Sequence, residues 1–276
     1  MTALRIDVAY VDGAKGPVFL LVRRPVGKPV STILVIPPFA EEMNKVRASI
    51  TWLSNLLIEN GFAVLVPDFY GTGDSAGDFE DACVETWIGD LQAVMRWSSN
   101  EGFSIDSALA VRLGSAILAE TLRMQRLPPL KKTVLWQPVF DGERFMTQFL
   151  RLRTANAMGG GDAKITVADL RKQSASGAAV KVAGYDVSPQ MMRDVDALRT
   201  PEVLPSEMGC VAWFEIVRDV AIGIPASTSK VIEASTMSGL QIQAQAFPGE
   251  PFWSSTEVIV NRAMVDTTVA AFADRA

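Results

Sequence analysis

Short, wholly apolar β-type runs alternate with amphipathic helical stretches along most of this chain, and that alternation dictates its architecture. The runs "STILVIPPF" (31–39), "FAVLVPDF" (62–69), "SALAVRL" (107–113) and "KKTVLWQPVF" (131–140) lack the in-out alternation of a half-exposed strand. Strands of this kind must be covered on both faces. Between them, residues 44–60 set Val46, Ile50, Leu53, Leu56 and Leu57 on one helical face, and Gly61 supplies the stop. Residues 82–99 do the same with Val84, Trp87, Ile88, Leu91 and Met95, and "GSAILAETLRM" (114–124) reads as a third helix. Such repetition predicts an α/β fold, a mostly parallel central sheet with helices on both faces. Residues 3–10 and 17–24 flank "DGAKG" and predict an opening hairpin.

The pattern breaks between 141 and 203, where "GGGDA", "SASGAA" and charged helical turns replace the apolar runs. It returns with "MGCVAWFEIV" (208–217), a helix around 225–238, "LQIQAQAF" (240–247) and a closing helix from about 257 to 273. The expected organisation is one core, residues 1–140 with 204–276, carrying 141–203 as a helical lid insertion.

Composition narrows the function classes. The net charge of −5 argues against a nucleic-acid partner, and the arginines of "FLRLR" (149–153) read as a solvated helix face. Two distant cysteines, Cys83 and Cys210, read as buried free thiols, which points to a reducing cytoplasm. The start "MTALRIDVAYVDG" carries no signal-peptide pattern, and no apolar run is long enough for a membrane span. Most restrictive is the absence of histidine among the 276 residues. An imidazole general base and His-ligated metal sites are excluded within this chain, and no metal or other cofactor is expected.

The stretch "ALAVRLGSAILAE" (108–120) passes from an apolar strand through a glycine into an Ala/Leu helix, with Arg112 at the turn. The order of elements resembles the α/β-hydrolase fold, in which that turn carries the nucleophile. "PDFYGTGDSAG" (67–77) is similar to the family's D-x-x-G-x-G-x-S loop. "AVRLG" (110–114) aligns with the elbow G-x-S-x-G: Arg112 takes the serine position, Ala110 the first glycine, and Gly114 survives as the second. Similarity to D-x-x-V-P sets "AIGIP" (221–225) at the acid, so Ala221 stands there with Asp219 two residues away. Similarity to G-x-x-H-F sets "GEPFW" (249–253) at the histidine, so Phe252 stands there. All three triad positions are replaced under this resemblance.

"PPFAEEMNKVR" (37–47), "QPVFDGERFMTQFLRLR" (137–153), "GYDVSP" (184–189) and "GEPFW" further resemble the exosortase A system-associated hydrolase 2 group. Its members are encoded beside bacterial exopolysaccharide and exosortase genes. The resemblance implies a ligand or protein partner from that pathway, and an acidic sugar would suit Arg112 as an acyl chain would suit an aromatic wall.

Arg112 has two readings. A permanently charged guanidinium at the open end of a sheet can anchor an anionic ligand, or it can plug a dead pocket as a structural ion pair. Glu41 and Glu42 are its expected partners, because a buried arginine needs a carboxylate. Ser115 sits inside the helix start with no imidazole to activate it, and reads as packing. Asp68 is expected to organise the glycine loop that also holds Asp74 and Asp78; that loop does not match a dinucleotide motif. Trp136, Trp213, Phe252 and Trp253 read as core or as an aromatic wall for a sugar or acyl chain. The candidate ligand contacts are Arg112, Glu41, Glu42, Phe39, Trp136 and Trp253. Two functions follow: a non-catalytic ligand- or partner-binding pseudo-hydrolase, or an atypical esterase or acyl hydrolase using carboxylates or a base from a partner chain.

Overall fold

Five consecutive buried residues, Thr32–Ile36, form the central strand β3, flanked in the sheet by two other strands from the apolar runs. The computed structural model describes residues 4–159, 165–199 and 201–274; the first three residues of the chain and most of the 159–163 glycine string lie outside them. The chain opens with β1 (Leu4–Asp12) and β2 (Pro17–Pro25), the expected hairpin. After β3 come α1 (Glu41–Glu59), β4 (Ala63–Pro67), α2 (Val84–Asn100), β5 (Ile105–Val111), α3 (Gly114–Arg123) and β6 (Lys132–Trp136). The segment between β6 and the next core strand holds α4 (Gly142–Gly159), α5 (Val167–Ala175), a hairpin of β7 (Val180–Val182) and β8 (Tyr185–Val187), and α6 (Pro189–Ala197). The core resumes with β9 (Cys210–Val217), α7 (Ala226–Met237), β10 (Ile242–Pro248) and α8 (Arg262–Ala273).

Eight strands make one sheet in the order β1-β2-β4-β3-β5-β6-β9-β10. The β1/β2 and β2/β4 pairs are antiparallel and all others are parallel. The period-two alternation of strand side chains splits the core into two layers. Ile33, Val35, Leu109, Val111, Val134, Trp136 and Phe214 pack with α1 and α8 on one face. Leu34, Ile36, Ala108, Ala110, Leu135 and Trp213 pack with α2, α3 and α7 on the other. The described residues of the segment 141–199 add no strand to this sheet, and its own small hairpin is a feature the charged helical turns did not announce.

Two local expectations are corrected. The helix expected from residue 44 begins at Glu41, so both glutamates stand in its first turn, where acidic side chains complement the helix dipole. The two cysteines are free but partly exposed rather than buried, because Cys83 sits just before α2 and Cys210 opens β9. Among the described residues, no helix is long and apolar enough to cross a membrane.

Register fixes what meets at the carboxyl edge of the sheet. Val111 pairs with Trp136, and Trp136 pairs with Phe214. The next residue on each strand, Arg112, Gln137 and Glu215, therefore forms a row along that edge. Backbone bonds extend the ladder one step into the row: the N–H of Arg112 donates to the Trp136 carbonyl (2.9 Å), and that of Gln137 to the Phe214 carbonyl (2.7 Å).

Candidate functional site

The turn at Arg112 is built as an elbow. Its φ of 55° lies in the left-handed region that a bulky residue adopts only when its surroundings hold it there. The carbonyl of Arg112 accepts from the N–H groups of Ser115 (3.0 Å) and Val139 (3.1 Å), which pins the turn on both sides. Gly114 permits α3 to start against the end of β3: a Cβ there would stand 2.7 Å from the carbonyl oxygens of Ile36 and Pro37. Ala40 (φ 51°) and Gln137 (φ 43°) are strained in the same way. Three of the five left-handed non-glycine residues described thus follow the ends of β3, β5 and β6, where a tightly over-determined backbone marks a site.

The elbow directs the Arg112 side chain to Glu42. Its Nη2 donates to Glu42 Oε1 at 3.0 Å and its Nε to the two carboxylate oxygens at 3.2 and 3.3 Å. Both side chains are 11 % exposed. The guanidinium also stacks 4.6 Å from the Trp253 ring centre and lies 5.9 Å from that of Phe145. Burial pushes the Glu42 carboxyl above its ordinary value, and the charge and hydrogen bonds of Arg112 pull against that shift. Glu41 makes no ion pair with Arg112; it sits beside the pair on the wall of a cavity of about 200 Å³ that Arg112, Gln148 and Trp253 also line.

A second cavity, of about 300 Å³, lies on the other side of Arg112 and reaches Glu215, Thr228 and Trp213. Glu215 is 3 % exposed. Alternation along β9 puts it on the same face as Trp213, whose indole Nε1 donates to its Oε1 at 2.9 Å; the Thr228 hydroxyl donates to the same oxygen at 3.3 Å. Burial pushes this carboxyl up as well, with Trp213, Thr228 and Arg112 opposing. Glu215 was not singled out in the sequence reading. Its one signal was an acidic residue interrupting the apolar run "CVAWFEIV".

The sign of the Glu215 shift makes a prediction. A carboxyl whose folded-state pKa is raised stabilises the fold while protonated, and that contribution fades as pH rises through the folded-state value. Melting temperatures of wild type and Glu215→Gln, compared from pH 4.5 to 8, should diverge in favour of the variant as pH rises. A pH-independent difference, or one that favours wild type increasingly at high pH, would contradict a carboxyl pushed upward by burial.

The remaining expected residues separate into those at the cleft and those away from it. Trp253 is at the cleft. Phe39 is 1 % exposed, at the centre of a cluster with Phe79, Trp87, Phe145 and Phe149, and its ring is spent on those contacts. Trp136 is fully buried on the α8 side, with its indole N–H on Thr268 (2.9 Å). Both are corrected from ligand contacts to core. Phe252, which the sequence resemblance set at the histidine, is also buried and packs edge-on to Trp136 and Trp253. Ala221 lies in an exposed 3-10 turn, where its N–H donates to Asp219, so that carboxylate caps its own turn. Ser115 is sealed, with its hydroxyl 3.3 Å from the Ala110 carbonyl. Asp68 organises the glycine loop by accepting from the Asp74 N–H (3.0 Å) and pairing with Arg47 (3.2 Å).

A family model described as X-Pro dipeptidyl-peptidase (S15 family) matches residues 18–142, the span from β2 to the start of α4. No curated protein sequence gives a significant match. Among solved structures, the chain is similar to Est1E from Butyrivibrio proteoclasticus with ferulic acid bound, at 18% identity and a TM-score of 0.65, covering 96% of this chain and 100% of that one. It is also similar to carboxyl esterase 2 from the mycorrhizal fungus Tuber melanosporum (14% identity, TM-score 0.62, 99% of this chain and 88% of that one). A lipase solved in its open form matches at 16% identity with a TM-score of 0.62, over 99% of each chain. Identities this low speak for architecture alone. With the strand order and the parallel core of the sheet, they establish that this chain has the α/β-hydrolase fold.

Proposed function

We propose that this protein is a non-catalytic member of the hydrolase architecture, and that it binds a small ligand in the cleft around Arg112. The observation that carries the reading is the elbow itself. A guanidinium stands where a nucleophile would be, cannot be deprotonated, and is engaged by Glu42. Ser115 is the nearest hydroxyl in sequence, yet it is sealed and has no base, and the chain contains no imidazole. Of the two sequence readings of Arg112, the ion pair accounts for the Glu42 side of the guanidinium. Ligand contact remains for its opposite edge.

Residues 141–203 serve as the cap of this cleft. The packing of Phe145 and Phe149 of α4 on Phe39 at the carboxyl edge of the sheet supports α4 as its ceiling. The string resemblances point to a bacterial exopolysaccharide- and exosortase-associated system, with the ligand or protein partner drawn from it, and the two free cysteines point to the cytoplasm. The alternative, an atypical esterase or acyl hydrolase, draws on one feature: a buried carboxylate, Glu215, hydrogen-bonded to the Thr228 hydroxyl at a cavity wall.

The test is direct. The purified protein should take no label from a fluorophosphonate probe, and should hydrolyse p-nitrophenyl acetate and butyrate no faster than a heat-denatured control. Saturable turnover that disappears in Glu215→Gln would overturn the non-catalytic reading and favour the alternative.

A further inference from the structure

Two cavities meet at Arg112, and the ion pair with Glu42 occupies the guanidinium edge that faces one of them. We propose that the other, the cavity of about 300 Å³ between Arg112 and Glu215, is a binding site for a neutral polyol, a ring-sized molecule carrying adjacent hydroxyl groups. The proposal rests on the ligand-binding reading above and names the ligand class for it.

The hydrogen-bonding capacity left at the walls has both signs. Glu215 spends Oε1 on Trp213 and Thr228. Its Oε2 accepts from none of the described residues, and it is not sealed from solvent, so it opens to the cavity. Arg112 spends Nε and Nη2 on Glu42, while Nη1 has only a long 3.5 Å contact to the Gln137 carbonyl. The hydrogen bonds to Glu42 and the Trp253 ring, centred 4.6 Å from the guanidinium carbon, hold the group, so its remaining N–H groups are positioned before any ligand arrives. Gln148 from α4 contributes an amide to the same wall. Ser227 and Thr228 in the first turn of α7 line the same cavity with their hydroxyls.

A ligand must satisfy a buried acceptor and a buried donor close to each other. The lining carries two charges of each sign, Arg112 and Arg144 against Glu215 and Asp141. An anion meets the arginines but is repelled by the carboxylates, and a cation meets the carboxylates but is repelled by the arginines. An apolar group leaves both without partners, at the desolvation cost of each. A hydroxyl both donates and accepts, so a pair of adjacent hydroxyls can give a proton to Glu215 and take one from Arg112. Phe145 and Val231 supply the apolar wall against which the C–H face of such a ring packs.

The test is calorimetric titration of the full chain with myo-inositol and methyl α-glucopyranoside, against glucuronate, glucosamine and inorganic phosphate. A neutral polyol is expected to bind about tenfold or more tightly than its charged counterparts. Gln148→Ala and Thr228→Val, each checked for an unchanged circular dichroism spectrum, should weaken that binding, and Glu215→Gln should weaken it most. Tighter binding of glucuronate or phosphate overturns the polyol assignment while leaving a non-catalytic binding protein in place. Binding by none of the five, or neutral binding that survives all three substitutions, overturns the assignment as well. Ester turnover would instead strike the non-catalytic reading and leave this result to stand or fall by itself.

Discussion

Arg112→Ala should lower the unfolding free energy by about 3–5 kcal/mol at neutral pH, the usual cost of removing one partner from a buried ion pair. The cost comes less from the lost attraction than from what stays behind. Glu42 remains in the core face of α1 with no cation, and Trp253 and Phe145 lose the guanidinium they flank. Burial already pushes the Glu42 carboxyl up against the pull of Arg112, so removing Arg112 raises it further. A carboxyl raised in the folded state is better tolerated when protonated. The deficit should therefore be largest at pH 8 and shrink as the solution is acidified through the Glu42 titration. Urea unfolding at pH 5 and pH 8 measures this. Arg112→Met combined with Glu42→Gln should recover much of the loss, since an apolar side chain beside a neutral amide leaves no buried charge. An Arg112→Ala protein within about 1 kcal/mol of wild type at both pH values would show that the pair does not hold the elbow together.

Trp136→Ala should cost about as much, roughly 3–5 kcal/mol, for a different reason. The indole is fully buried between β6 and α8, packs edge-on to Phe252, and gives its one N–H to Thr268. Truncation leaves a large cavity and strips the Thr268 hydroxyl of its donor. Trp136→Phe should cost less, because most of the ring volume returns and only the hydrogen bond is lost. Neither change should alter ligand affinity in the cleft, since the side chain lies on the opposite side of the sheet from Glu215. A Trp136→Phe protein that folds normally but loses ligand would return this residue to the site.

These two residues show how far the sequence reading reached. Four continuous apolar runs, the first three each followed by a helical face, were enough for the parallel sheet and its two coats of helix, because burial on both sides leaves no polar alternation to confuse the pattern. The elbow was legible too. A strand running into Arg112 and then a glycine is a local signal, although the contact that requires Gly114, with the carbonyls of Ile36 and Pro37, is remote in sequence. The missing histidine needed no structure at all.

What failed was the choice of face. Trp136 and Trp213 both sit in apolar strands, and nothing in either run says which side of the sheet opens to a cleft. Their facing follows from how β6 and β9 pair with their neighbours. The same holds for the glutamates. Once α1 begins at Glu41, the turn of about 100° per residue carries Glu42 under the helix and leaves Glu41 at the rim. Glu215 was invisible for a stricter reason. It joins Arg112 and Gln137 only because Val111, Trp136 and Phe214 are in register, across more than a hundred residues of chain. Residue type and local spacing determined the elements and the absent chemistry. Register and facing, which depend on contacts remote in sequence, decided which charges share a cavity.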